Sequence, residues 1–195
     1  MVIVIPIIEG HGEQQAIERL LHRLAGHCGN GENIRVKPPI RIKSGSFLSD
    51  ASYFQKYVAL AMSKAAQEAE GHVLILLDCD DECPADLGPK LLDSAKAVRP
   101  GIGVSVALLL REYETAFLAA ARSLRGVCGL PDDLEPPANP ERIRDAKGWL
   151  SSQMPGRYDP IVHQLAFTSC IDIDEAKSTD SFARLCRVVE DFTAA

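Results

Sequence analysis

Three mainly apolar segments divide the first part of the chain, and each predicts a strand. The segments are Val2 to Ile8, His72 to Leu77 and Ile102 to Leu110. The first is β-branched and apolar without alternation between apolar and polar positions, which predicts a strand covered on both faces. Such runs are typical of strands inside a parallel sheet.

Between these strands, apolar residues recur at helical spacing, and N-cap residues, Pro and Gly mark the helix ends. The predicted helices run from about Ala16 to Gly26, from Ser49 or Asp50 to Glu70, from Pro84 to about Val98 and from Arg111 to Arg125. Strands that alternate with helices imply right-handed crossovers and a parallel sheet, whose ligand site lies beyond the carboxyl ends of the strands.

Two further regions have a different pattern. Residues Asn33 to Lys43 look extended, but Pro38 and Pro39 confine them to an edge strand or a loop. Pro131 to Pro140 is acidic and rich in proline, and short helical patterns follow around 143–150, 162–168 and 182–192. We therefore predict a single α/β domain over residues 1–195, with a core at 1–125 and a mostly helical annex at 126–195.

Composition and charge narrow the class of protein. A chain of 195 residues with 46% hydrophobic content can bury one sizeable core. The formal net charge of -6 argues against broad non-specific binding to nucleic acid, although the basic residues Arg35, Lys37, Arg41 and Lys43 form a local strip that could meet phosphates. The opening segment has no basic leader and is too short to span a bilayer, so we expect a cytoplasmic protein without a membrane anchor.

Acidic residues follow each of the three strands. Glu9 and Glu13 come after the first strand, Asp78 and Asp80 after the second, and Glu112 and Glu114 after the third. Because the carboxyl ends of parallel strands meet at one edge, these carboxylates should converge there. Adjacent carboxylates repel one another, and a divalent cation such as Mg2+ or Mn2+ with a preference for oxygen ligands would remove that repulsion.

The alternatives to a metal site stay open for individual residues. A single strand-end Asp often only caps the following loop or helix. On a continuing strand, Asp78 and Asp80 would project to the same face and Cys79 into the core. His11 could contact the substrate or lie exposed in its turn, and Arg111 could hold a phosphate or pair with Glu114 or Asp80.

The residues also carry a resemblance to known families. The strings Ile8 to Glu13 and Leu77 to Asp80 resemble the Toprim catalytic core of topoisomerases, primases and the overcoming-lysogenization-defect nucleases. The strings 111–118, 146–150 and 181–185 resemble an uncharacterised bacterial Toprim-like family, family 4276 of the domains of unknown function. The resemblance implies a Toprim-like three-layer fold with a mainly parallel central sheet flanked by helices.

The resemblance also implies roles for residues. It makes Glu9 the general acid/base, Asp78 and Asp80 metal ligands, and Glu13 and Glu114 further acids at the metal. A lysine assists catalysis in the related nucleases, and Lys147 is the candidate for that lysine here. Arg111 and His11 are further candidates for contact with the substrate.

The function that follows from the resemblance is that of a hydrolase. We expect a Mg2+- or Mn2+-dependent phosphodiesterase, a nuclease acting on DNA, which serves a bacterial defence system against foreign DNA beside an ATPase partner protein. The alternative is a non-catalytic subunit with a degenerate Toprim fold that binds an ATPase or nucleic acid. Hydrolysis of a small phosphorylated molecule is a third possibility, because the residues do not separate nucleotide from polynucleotide.

Overall fold

The computed structural model describes residues 1–194, which form one five-stranded sheet with helices on both faces. The strands are β1 (Val2–Ile8), β2 (Ile34–Val36), β3 (Ile40–Arg41), β4 (Gly71–Asp78) and β5 (Gly103–Leu109). β4 pairs with one side of β1, β2 and β3 pair with its other side, and β5 pairs with β4. Every pairing is parallel, which confirms the predicted α/β fold with a parallel sheet.

The helices complete three layers. They are α1 (His11–His27), α2 (Ser44–Ser49), α3 (Ala51–Ala65), α4 (Pro84–Val98), α5 (Thr115–Ala119), α6 (Ala146–Gln153), α7 (Pro160–Cys170), α8 (Ile173–Ala176) and α9 (Asp180–Thr193). Short 3-10 turns occur at Gly31–Asn33, Ala121–Leu124, Val127–Gly129 and Pro140–Arg142. Within residues 1–194, none of these helices is both long enough and apolar enough to cross a membrane.

Side chains alternate along β1 and pack into two separate cores, one on each face of the sheet. Ile5 and Ile7 pack with Val58 of α3 on one face of the sheet. Val4 and Ile8 pack on the other face, where α1 and the helices of the annex lie. The annex contributes fully buried side chains such as Phe167 and Leu185 to this second core. The annex therefore packs over the α1 face of the sheet and shares the core of that face.

The basic strip forms an edge of the sheet, as predicted. β2 pairs with the start of β1 and β3 with its end, and the two prolines between them interrupt the ladder. Lys37 N donates to Val4 O and Ile42 N donates to Ile8 O, both at 2.9 Å. Proline has no N–H to donate, so an edge strand is where this interruption costs least.

Two predicted helices differ from the structure. The second starts as predicted, since the Asp50 carboxylate accepts from Ser52 N at 2.8 Å and caps α3, but it ends at Ala65 where Glu70 was predicted, and the short helix α2 precedes it. The predicted helix 111–125 is wrong, because only Thr115–Ala119 is α-helical and a 3-10 turn follows it. The whole segment from Tyr113 to Ala121 is buried, so the chain bends to bury all sides where a straight amphipathic helix would expose one.

Candidate functional site

The carboxyl ends of β1, β4 and β5 open into a cleft of about 400 Å³. Its lining includes all six acidic residues that follow the strands, Glu9, Glu13, Asp78, Asp80, Glu112 and Glu114. His11 and Lys147 also line it, together with residues from the start of α7. The structure thus brings together the candidates of the sequence analysis, except Arg111.

Glu9 and Glu13 reach the cleft through the turn between β1 and α1. Gly10 is the N-cap of α1, and the Glu13 carboxylate folds back to accept from Glu9 N at 3.4 Å and Gly10 N at 3.2 Å. Burial of Glu13, helped by repulsion from Glu114, raises its pKa to about 7. Glu9 is half-buried, and its Oε1 accepts a hydrogen bond from Ser44 Oγ.

Asp78 is the last residue of β4 and is half-buried where it lines the cleft. Burial raises the pKa of Asp78 well above its ordinary value, and the nearby carboxylates of Glu13 and Glu114 raise it further. Lys147 opposes this shift only in part. A proton or a cation is therefore needed to stabilise this group of carboxylates.

Asp80 reaches the same cleft by a different route from the one predicted. β4 ends at Asp78, and Asp80 has a φ of 45° and forms an isolated antiparallel bridge with Arg111. The expectation of a continuing strand with both aspartates on one face is thus wrong. Asp80 is exposed at the rim of the cleft, whereas Cys79 is buried in the core on the α3 face. The positive φ turns the chain away from the sheet.

Lys147 lies between two of the acids. Its Nζ is 2.9 Å from Glu112 Oε2 and 3.1 Å from Glu114 Oε2, and Tyr158 Oη donates to Glu114 Oε1 at 3.1 Å. Burial raises the pKa of Glu114, although Lys147 opposes the shift. Burial lowers the pKa of Lys147, but Glu114 and Glu112 outweigh it and keep the pKa above its ordinary value. Lys147 is therefore a charged ammonium inside the cleft.

Arg111 does not line the cleft. Its guanidinium pairs with Asp81 and also donates to the carbonyl oxygens of Asp80 and Glu141 at 3.3 Å each. The suggested ion pair with Glu114 or Asp80 is wrong, because the guanidinium pairs with the carboxylate of Asp81 and contacts Asp80 only at its backbone carbonyl. Arg111 lies in a neighbouring small pocket, next to Arg144.

Sequence reasoning missed three residues that approach the acids. Ser44 contacts Glu9, Tyr158 contacts Glu114, and Gln164 lines the cleft from α7. Asp159 and Pro160 were the one readable signal, since an N-cap Asp followed by Pro at the first helical position marks the start of α7. The contacts themselves depend on how the annex packs.

The donor chemistry of the cleft fits a hard divalent cation, because carboxylate oxygens are the ligands that Mg2+ and Mn2+ prefer. Among residues 1–194, however, no three Asp, Glu, His or Cys side chains are already grouped as ligands of one ion. Glu13 is held on the backbone amides of Glu9 and Gly10, and Glu114 is held by Tyr158 and Lys147. A cation would compete with these partners.

Gly12 permits the close approach of α1 and α7 at the cleft. A Cβ at Gly12 would lie 2.6 Å from Pro160 O and 2.0 Å from Gln164 Oε1. We expect Gly12→Ala to lower the free energy of unfolding by about 1–3 kcal/mol, because the helices must separate. Gly26→Ala in the same helix meets nothing within 4 Å and should stabilise by about 0.5–1 kcal/mol. Urea denaturation of both variants tests this, and equal effects would contradict it.

Comparison with the curated proteins found no significant match, and comparison with the solved structures found none either. One family model does match, and it covers residues 8–190, which include every residue of the cleft described above. The chain belongs to the family described as "Domain of unknown function (DUF4276)".

Proposed function

We propose that the protein is a Mg2+- or Mn2+-dependent phosphodiesterase that acts on nucleic acid. The observation that carries the proposal is the shared cleft of carboxylates from the ends of three neighbouring strands. Burial and mutual repulsion raise the pKa of Glu13 to about 7 and raise those of Asp78 and Glu114. Such shifts at a cleft are typical of functional sites, and a bound cation would relieve the repulsion.

The metal ligands of the proposal are Asp78 and Asp80, with Glu13 and Glu114 as further ligands. When bound, a divalent cation polarises the phosphate and makes water a better nucleophile near neutral pH. Glu9 is suited to proton transfer, because it is half-buried at the end of β1 and keeps a hydrogen bond with Ser44. The Lys147 ammonium is suited to neutralise charge on the phosphate. This division of roles agrees with the resemblance to the Toprim nucleases.

The edge of the sheet at β2 and β3 carries exposed basic residues, which favours a polyanionic substrate. Arg41 at the end of β3 and Lys43 at the N-cap of α2 are both exposed. Lys43 is followed directly by Ser44, which contacts Glu9. Arg35 is exposed further along the same edge, whereas Lys37 pairs with Glu68 at 2.6 Å. A strand of nucleic acid that follows this edge would reach the cleft at Glu9. We propose DNA as the substrate. The protein would then act in a bacterial system against foreign DNA, beside an ATPase partner.

Calorimetric titration with Mn2+ tests the metal site. We expect the wild type to bind Mn2+ and the Asp78→Asn/Asp80→Asn double variant to lose more than roughly 100-fold in affinity, because loss of a group that only hydrogen-bonds to a metal ligand can already cost that much. The matched control is Asp86→Asn/Asp93→Asn, which removes two exposed carboxylates from α4 outside the cleft. Equal affinity in the wild type and the double variant would contradict the assignment. Cleavage assays on single- and double-stranded DNA then follow.

One observation favours a second candidate, a non-catalytic subunit that binds an ATPase or nucleic acid. Lys147 already neutralises part of the charge of Glu112 and Glu114, so its ammonium group takes part of the role that a metal ion would have in the cleft. In this case the wild type binds no Mn2+ at low-millimolar concentration, and Asp78→Asn/Asp80→Asn leaves its complexes unchanged. Mn2+ binding by the wild type alone supports the phosphodiesterase.

A further inference from the structure

Gln164 is a buried amide without a hydrogen-bond partner in the protein. The residue is only 2% exposed, it lines the cleft from α7, and no group within residues 1–194 hydrogen-bonds to its carboxamide. The one fully enclosed side-chain atom without a partner in that range is Glu175 Oε2, so the Gln164 amide must reach the open volume of the cleft. Buried polar groups are normally satisfied, so water or a ligand in the cleft must complete the hydrogen bonds of this amide.

The Gln164 amide lies directly against the first turn of α1. A Cβ at Gly12 would be 2.0 Å from Gln164 Oε1, so the carboxamide covers Gly12. The backbone N–H groups of His11, Gly12 and Glu13 are the first three of α1 and have no acceptor inside the helix. The Glu13 carboxylate does not satisfy them, because it accepts from Glu9 N and Gly10 N instead.

The donors among these groups share one chemical character. The first-turn N–H groups and the Gln164 Nε2 are uncharged hydrogen-bond donors, whereas Gln164 Oε1 is an acceptor that faces Gly12. The donors belong to residues that line the carboxylate cleft or adjoin it, at the positive end of the dipole of a helix of 17 residues. An anion bound at a helix N-terminus is stabilised by this arrangement. The second donor, the Gln164 carboxamide, comes from a different helix and fixes the orientation of what binds.

We infer that Gln164 and the first-turn amides of α1 bind the non-bridging oxygens of a phosphodiester. The inference rests on the proposed function and names its substrate group. An acidic cleft repels a phosphate dianion more strongly than a monoanion, and uncharged donors do not offset a double charge. The site therefore suits a diester, which carries one negative charge, over a terminal phosphate monoester. Gln164 is then a substrate-binding residue.

Titration with dimethyl phosphate, followed by the NMR signals of amide groups, tests this inference on the whole chain with and without Mg2+. We expect the side-chain amide of Gln164 and the backbone amides of His11 and Gly12 to shift. Gln164→Met keeps the length of the side chain and should weaken binding by about 10-fold, the effect of one lost hydrogen bond. Gln15→Met is the matched control, because Gln15 is exposed on α1 outside the cleft.

Unmoved Gln164 signals at saturating dimethyl phosphate would overturn the inference, and so would equal affinity in Gln164→Met and wild type. Inorganic phosphate is the second probe, and tighter binding of it than of dimethyl phosphate would overturn the choice of a diester. Failure of the proposed function alone gives a different result. In that case dimethyl phosphate still shifts the Gln164 amide signal, but the wild type neither binds Mn2+ nor cleaves DNA. Cleavage with an unchanged KM in Gln164→Met would instead leave the proposed function standing and reject the role of Gln164.

Discussion

Replacing Glu9 by Gln should lower the rate of phosphodiester cleavage by about 10²–10⁴-fold, the usual contribution of a general acid or base. Gln has nearly the same shape and can keep the hydrogen bond from Ser44 Oγ, but it cannot take up or release a proton. The fold should be unaffected, because Glu9 lies beyond the last residue of β1 and is half-buried. Single-turnover cleavage of a short DNA substrate measures the effect.

Two comparisons separate proton transfer from other roles of Glu9. Glu18→Gln removes an exposed carboxylate from α1 outside the cleft and should leave cleavage unchanged. Mn2+ affinity should be nearly the same in Glu9→Gln and wild type, because the proposed ligands are other residues. A loss of Mn2+ binding in Glu9→Gln would make Glu9 a metal ligand, and full activity would remove it from the mechanism.

The positions of the acids at the ends of β1 and β4 could be predicted because each depends on the apolar run that directly precedes it in the chain. Glu9 and Asp78 each follow an apolar run of the kind that forms an inner parallel strand, and the parallel sheet sets the ends of β1 and β4 side by side. The register of Ile7 with Ile75 brings the two strand ends together. No contact between distant segments had to be known for this prediction.

The second half of the cleft could not be predicted in the same way. Tyr158 and Gln164 reach the acids only because α7 packs against α1, and a side chain that arrives through such packing leaves no periodic signal. Lys147 was suggested by a family resemblance, whereas its contacts with Glu112 and Glu114 follow from where α6 docks. Gly12 marks the α1–α7 approach, but Gly-His-Gly in a sequence is equally typical of a simple turn.

The error at residues 111–125 has a physical cause of the same kind. Helical spacing predicts a helix with one exposed face, but Thr115 to Ala121 is buried on every side. Ala120 leaves the helical conformation with φ -97° and ψ 29°, which ends α5 and lets the next turn pack as a 3-10 helix. The packing of the annex on this segment therefore decides its conformation.

Without metal, the protein should lose stability as the pH rises from 4.5 to about 7, and Glu13 should be a main cause. Its pKa is 4.5 in the unfolded chain and is raised to about 7 in the folded protein by burial, so in this window the folded protein binds the extra proton. The unfolding free energy therefore falls as pH rises and is lower by about 3 kcal/mol above the folded pKa. Urea denaturation in EDTA at a series of pH values measures it.

The variant Glu13→Gln separates this effect from the titration of Asp78 and Glu114. Above pH 7 it should be about 2 kcal/mol more stable than the wild type, because the buried charge is gone and one hydrogen bond to the backbone of Glu9 or Gly10 is lost. Below pH 4.5 both forms are neutral at this position, and the variant should be equal or slightly weaker. Glu18→Gln, on the exposed face of α1, should show no such crossing. A variant that is less stable than the wild type above pH 7 would mean that the Glu13 carboxylate ionises easily, because its two backbone hydrogen bonds would then outweigh its burial.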